Sequence, residues 1–239
     1  MANSPMFGLA GLIFMAGSLA MLFFIVLAGV ADSTPLNQTY FLQVNTQGIA
    51  GASRTGGVSQ WTYFYICGEG NHDCNQAKAA YPFGYAWDAN ANGVPDDIMG
   101  NHGDNTTSTK YYYLWRFGWV FIILALFFGV ITFLTSFLAC CGRLGAAIAY
   151  YNSLLAVLCH TVAASLTTAV FVLAQNAFKN DGRDAQVGKY GFGFLWGSWA
   201  ALIIACGLFS HGRRSDSSGG RFFGRRGNFE GRRVKDDYS

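Results

Sequence analysis

The chain has 239 residues, of which 52% are hydrophobic and 12% charged, with a formal charge of +3 and a mean hydropathy of +0.26. A soluble domain averages about 25% charged residues, so this composition excludes an ordinary soluble fold. The charge is also unevenly placed: residues 31–116 are mainly acidic (Asp32, Glu69, Asp73, Asp88, Asp96, Asp97, Asp104), and the last thirty residues are rich in arginine.

The apolar residues fall in four blocks, each near the length of about 20 residues that a helix needs to cross a bilayer core. Residues 1–6 carry no charged side chain, and residues 7–30 form the first predicted span. It has no basic leader and no small-residue cleavage site, so it is read as a retained helix rather than a signal peptide. Gly11, Gly17, Ser18 and Ala20 give it a face that a neighbouring helix can approach closely.

Residues 31–116 form a large polar loop. Pro35, the glycines between Gly48 and Gly57, and the Asn/Gly/Asp stretch from Asp88 to Asp104 mark turns. The aromatic and β-branched runs Tyr40 to Val44 and Ser59 to Ile66 predict short strands. A single helical turn is expected from Ala77 to Tyr81, stopped by Pro82.

The second span is read as residues 117–139, preceded by the interfacial aromatics Tyr111, Tyr112, Tyr113 and Trp115. A tight turn at residues 140–144 leads to the third span, residues 145–174, which is expected to protrude at its far end. Residues 175–191 make a short loop, residues 192–209 the fourth span, and residues 210–239 a Gly/Arg-rich tail that cannot bury a core.

Four spans place both termini on one side. The positive-inside rule puts the tail and Arg143 in the cytoplasm and the large loop outside. Two glycosylation sequons, at Asn37 and Asn105, both lie in that loop. On an oxidising face Cys67 and Cys74 read as a disulfide in preference to a metal site shared with His72 and Asp73. The expected fold is an all-α membrane protein: a left-handed four-helix transmembrane bundle carrying a small, disulfide-pinned extracellular β-sheet. The short third loop is expected to add a strand or an edge contact.

Other side chains suggest chemistry of their own. Asp88, Asn90 and Asn92 before Gly93 resemble the opening of a calcium loop, but the twelfth position is Met99 instead of a bidentate glutamate, and a polar turn cluster is the plainer reading. Cys140 and Cys141 are juxtamembrane palmitoylation candidates. Arg213, Arg214, Arg221, Arg225, Arg226, Arg232, Arg233 and Lys235 form a basic tail suited to an anionic leaflet. Arg/Gly/Phe mixtures also occur in RNA-binding segments, but membrane tethering favours lipid or a cytoplasmic scaffold, with no nucleic acid. His160, Asn152 and Gln175 read as interhelical hydrogen-bonding groups, since one histidine without acidic residues in the spans makes a poor ion path. No motif pairs a nucleophile with a base on one side of the membrane, so no enzymatic activity is expected and no cofactor is implied.

Phe64-Tyr65-Ile66-Cys67 followed by Cys74 resembles the first-loop signature of claudin-like proteins, with Phe64 where claudins use tryptophan. Nearly the whole chain resembles the fungal eisosome tetraspan family (Sur-seven/PalI). The matching stretches are Trp61-Thr62 leading to Cys67, Tyr81-Pro82-Phe83, Tyr111-Tyr112-Tyr113-Leu114 before Arg116-Phe117, Gly142-Arg143-Leu144-Gly145-Ala146-Ala147, and Gly182-Arg183-Asp184-Ala185 through Gly188-Lys189-Tyr190 to Phe192-Gly193-Phe194. The resemblance implies a plasma-membrane protein of furrow-like microdomains, linked to membrane organisation, endocytosis and cell-wall integrity. The expected function is a self-associating scaffold in contact with membrane lipids (sterol, sphingolipid or phosphoinositide) and a cytoplasmic eisosome coat. The alternatives are an ambient-pH sensor subunit and, behind it, a channel or transporter.

Overall fold

The computed structural model describes residues 4–31, 33–139 and 143–219. Four long helices dominate: α1 (Ser4–Val26), α2 (Thr109–Ala139), α3 (Arg143–Asn180) and α4 (Lys189–Gly219). Each contains a stretch long and apolar enough to cross a membrane. Four short strands lie between them: β1 (Leu42–Asn45), β2 (Val58–Trp61), β3 (Ile66–Cys67) and β4 (Ala185–Val187).

On each of the four helices a series of buried positions runs in steps of four and three. On α2 they are Tyr111, Trp115, Gly118, Ile122, Ala125, Gly129, Thr132 and Ser136. On α3 the series is Ala149, Ser153, Ala156, His160, Ala163, Thr167, Val170, Ala174 and Ala177, and on α4 it is Gly191, Leu195, Ser198, Leu202, Ala205 and Phe209. Gly11, Met15, Ser18, Leu22 and Ile25 continue the pattern on α1. A buried seam with a period of 3.5 residues, set against 3.6 residues per turn, winds helices into a left-handed supercoil. The seam is built largely from Ala, Gly, Ser and Thr, which let backbones come close where lipid offers no hydrophobic drive. The large apolar side chains, such as Leu124, Phe127, Leu155, Leu158 and Ile204, face outward.

α2 packs most extensively on α3, and α1 on α4. Both α2 and α3 are longer than their expected spans. At 1.5 Å per residue, α3 runs about 57 Å, well beyond a hydrocarbon core of about 30 Å. Its excess carries Phe171, Ala174 and Phe178 up among the loop residues and fuses the loops and the bundle into one core. That fused end is termed the head. α1 starts earlier than the expected span and ends sooner, at Val26. The chain turns away through Gly29 (φ +86°), where a Cβ would sit 3.1 Å from Tyr65 and 3.3 Å from the Cys67 sulfur.

The strands form one antiparallel sheet in the order β3-β2-β1-β4. The short third loop thus supplies one of its two edge strands. Leu42 faces Trp61 and Val187, and Val44 faces Ser59 and Ala185, so one face of the sheet is buried. Gln43, Gln60 and Gln186 line up on the other face, because successive side chains alternate. The expected strand Ser59 to Ile66 is instead two strands. Thr62 turns the chain, its hydroxyl bonded to both the N–H and the carbonyl of Tyr65 at 3.1 Å. The helical turn expected before Pro82 comes after it, at Phe83–Ala86, consistent with proline favouring the start of a helical turn and disfavouring helical geometry in the residue before it.

Candidate functional site: the aromatic head and its disulfide

Phe41, which leads into β1, is the centre of the head. Its ring lies 5.0 Å from Tyr63, 5.3 Å from Phe171 and 5.6 Å from Phe192. Trp61 stacks on Phe83 at 5.0 Å and 10°, and its indole N–H donates to the Phe83 carbonyl at 3.0 Å. Trp87 crosses the same pair edge-on and donates to the Thr106 carbonyl at 3.3 Å. Tyr63, on the turn after β2, is fully buried and shares a 3.2 Å hydrogen bond with Thr167 of α3. Burial raises its phenol above the ordinary range. Phe64 points away from Tyr63 and meets Trp119.

Trp61, Thr62 and Phe64, the three loop-signature residues, therefore have separate duties. Trp61 fills the core, Thr62 forms the turn, and Phe64 packs on α2. An uninterrupted strand would have put Thr62 and Phe64 on one face and Trp61 on the other.

Cys67 and Cys74 form a disulfide. Both sulfurs are thereby consumed, which removes the thiolates a metal site with His72 and Asp73 would need. The loop between them turns through three left-handed residues, Gly70, Asn71 and Asp73, a conformation that glycine, asparagine and aspartate tolerate. Asn71 is buried and is the tether of this loop. Its side-chain amide donates to the carbonyls of Leu36 at 2.7 Å and Thr39 at 3.0 Å. Its backbone N–H donates to Gln60, whose own amide donates to Gln43. The disulfide loop is thus bound to the outer glutamine face of the sheet and to the segment leaving α1.

Arg183, in the short third loop, donates to the carbonyls of Asn45 at 3.3 Å and Gln47 at 3.1 Å. It clamps that loop to the end of β1. Phe41, Asn71 and Arg183 were not legible as organising residues. Their partners are distant in sequence, and only the unusual density of Gly and Asn around residues 68–73 hinted at a special backbone.

Asp88, Asn90 and Asn92 are exposed, while Ala91 and Val94 turn inward to the core. Among the described residues no three His, Cys, Asp or Glu side chains gather as metal ligands. Asn105 is exposed, and the Thr107 hydroxyl of its sequon accepts the Gly84 N–H at 2.8 Å. Asn37 is half-buried in a short helical turn, and the Thr39 hydroxyl donates to the Pro35 carbonyl.

Within the bundle, His160 bonds the Leu195 carbonyl at 3.1 Å and the Ser198 hydroxyl at 3.3 Å, while Ser18 donates to the Ser198 carbonyl at 2.8 Å. These groups join α1, α3 and α4, as the interhelical reading expects. Gln175 bonds the Ala185 carbonyl, whereas Asn152, among the described residues, bonds along its own helix to the Ile148 carbonyl. α4 continues past residue 209 to Gly219, so Arg213 and Arg214 lie on a helix and not in an irregular tail. Cys140 and Cys141 lie outside the described residues, as do Arg221, Arg225, Arg226, Arg232, Arg233 and Lys235.

A four-span bundle bearing a small sheet pinned by the Cys67–Cys74 disulfide defines a tetraspan membrane protein. The SUR7/PalI family model matches residues 7–208, and the chain belongs to that family. Protein SUR7 of Candida albicans is 35% identical over 212 residues, covering 86% of this chain and 74% of the relative. Protein SUR7 of Saccharomyces cerevisiae is 30% identical, covering 81% of this chain and 63% of its own length. The yeast protein YNL194C, described as a plasma membrane protein, is also 30% identical, over 81% of this chain and 64% of its own length. The chain thus spans less than two thirds of both yeast relatives.

Proposed function

We propose that this protein is a non-enzymatic plasma-membrane scaffold that self-associates laterally to organise eisosome-type microdomains, and through them serves membrane organisation, endocytosis and cell-wall integrity. The observation that carries this reading is a buried cluster shared by the head and the adjoining half of the bundle. Leu22 and Ile25 of α1, Ile122 of α2, Phe171 of α3 and Leu195 of α4 belong to the same buried cluster as Phe41, Trp61 and Phe83. A head rigidly fixed to its helices presents neighbours with one geometry, which a repeating lateral contact requires.

In this reading both termini are cytoplasmic and the head is extracellular, with Asn37 and Asn105 as glycan acceptors. The basic tail and palmitoylated Cys140 and Cys141 engage the inner leaflet and a cytoplasmic coat protein. The name of the yeast plasma membrane relative supports the compartment. Native mass analysis in lipid discs tests the reading. A discrete or extended homo-oligomer is expected. A strict monomer in every lipid composition, or a one-to-one complex with a receptor or transporter, would overturn it, the latter in favour of a sensor subunit.

A further inference from the structure

The head carries a solvent-open cleft of about 540 Å³ beside the disulfide loop. That volume lies within the range of about 300–1,000 Å³ common to small-ligand sites. Tyr81, Tyr85, Asn75, Gln76, Asp88 and Asp104 line it, and Trp87 and Thr106 belong to its buried part.

One wall is held in place before any ligand arrives. The Tyr85 hydroxyl donates to Asp104 at 2.8 Å, the Lys78 ammonium lies 4.5 Å from the ring centroid, and Tyr81 meets the ring edge-on at 5.3 Å. The hydrogen bond to Asp104, with a smaller contribution from burial, raises the Tyr85 phenol above its ordinary value, so it stays a donor to that carboxylate. Trp87, bonded to the Thr106 carbonyl, fixes the floor. The remaining polar side chains are uncommitted: Asn75, Gln76 and Asp88 make no side-chain hydrogen bond to a described residue, and none of the three is buried.

These groups define the ligand's chemistry. Among the described residues that line the cleft there is no lysine or arginine, the one ammonium near it, Lys78, is held against the Tyr85 ring, and two carboxylates repel an anion. Carboxamides both donate and accept, and carboxylates accept, so the set suits a ligand dense in hydroxyl groups. Fixed tyrosine rings offer an apolar surface to the C–H faces of a sugar ring. A cation is a poorer fit, because Asp104 is engaged with Tyr85 and no cluster of three acidic, histidine or cysteine side chains gathers among the described residues.

We propose that this cleft is a binding site for an uncharged saccharide chain, stacked on Tyr81 and Tyr85 and hydrogen-bonded by Asn75, Gln76 and Asp88. The site does not depend on lateral assembly: a monomer with an intact head binds equally well. Asn105 lies between two lining residues, Asp104 and Thr106, so a saccharide has two sources, an external chain or the glycan of the protein itself.

The test uses the full chain in lipid discs free of glycoside detergents, with and without Asn105→Gln. Calorimetric titration is made with laminarihexaose, chitohexaose and mannohexaose. At least one is expected to bind with a Kd of about 1 mM or tighter, and Gln76→Ala, Asp88→Asn and Tyr81→Ala are each expected to weaken it about tenfold. Tyr113→Ala, an exposed aromatic outside the cleft, leaves it unchanged. Binding to both proteins identifies an external chain as the ligand, and binding seen only with Asn105→Gln identifies the protein's own glycan as the resident saccharide. The proposal is overturned if no hexasaccharide binds either folded protein. It also fails if binding is indifferent to Gln76→Ala and Asp88→Asn, whose folding is confirmed by an unchanged thermal midpoint. Titration with calcium chloride that fills the cleft instead, and is lost in Asp88→Asn, equally sinks it.

Discussion

The hydroxyls of Tyr63 and Thr167 lie 3.2 Å apart in a fully buried site, though 104 residues separate them in the chain. One belongs to the turn of the head and the other to the seam of α3. The bond is therefore a direct measure of how firmly head and bundle are joined. Tyr63→Phe keeps the ring and is expected to cost about 0.5–1.5 kcal/mol, and Tyr63→Ala about 3–5 kcal/mol through the cavity it leaves. Thermal unfolding in lipid discs checks both. Equal losses would mean the hydroxyl, not the ring, holds the joint.

The disulfide should act chiefly on the unfolded chain. Closing so short a loop is worth about 2–3 kcal/mol. Cys67→Ser with Cys74→Ser should lower stability by that amount, and reductant should produce the same shift in the wild type and none in the variant. An unchanged thermal midpoint together with unchanged surface delivery would show that the disulfide does not organise the head.

Asn71 combines a left-handed backbone with two side-chain bonds, and the two contributions can be separated. Asn71→Gly retains the backbone preference and loses the bonds to Leu36 and Thr39. Asn71→Ala loses both and should be the more destabilised by about 1 kcal/mol. If the two variants melt together, the side-chain bonds alone account for the residue.

The helix seam predicts opposite outcomes for neighbouring residues. Ala156 is fully buried against Met15, Leu202 and Phe209, whereas Leu155 is 45% exposed. Ala156→Leu overpacks the seam and should cost about 1–3 kcal/mol. Leu155→Ala faces lipid and should leave the thermal midpoint nearly unchanged.

The sequons should differ in use. Asn105 is exposed, whereas the side-chain oxygen of Asn37 is buried. If the head is extracellular, as proposed, Asn105→Gln should remove a glycan-sized mass from the expressed protein, and Asn37→Gln should change the mass little. The reverse pattern on a gel before and after deglycosylation would mean that the Asn37 turn opens during synthesis.

Much of the architecture was legible because its signals are local. Four apolar blocks gave four spans, and the β-branched and aromatic runs gave β1 and the start of β2. The helix ends were less legible. α2 begins at Thr109 because Tyr111, Tyr112 and Tyr113 are polar enough to read as loop yet pack as helix. The turn at Thr62 was hidden because aromatic residues on both sides continue the strand-like composition across it.

Composition alone determined that this chain enters a membrane, since 20 apolar residues in a row have few other stable settings. It also limited Cys67 and Cys74 to a pair, being two thiols in one polar loop. Tertiary structure alone decided which faces of the helices meet. In a bilayer both lipid and seam accept apolar side chains, so hydropathy carries no face signal, and small residues mark the buried side only once helices are set together. It alone also decided that Phe41, Asn71 and Arg183 hold the head, because each finds its partners across turns whose closure no local pattern records.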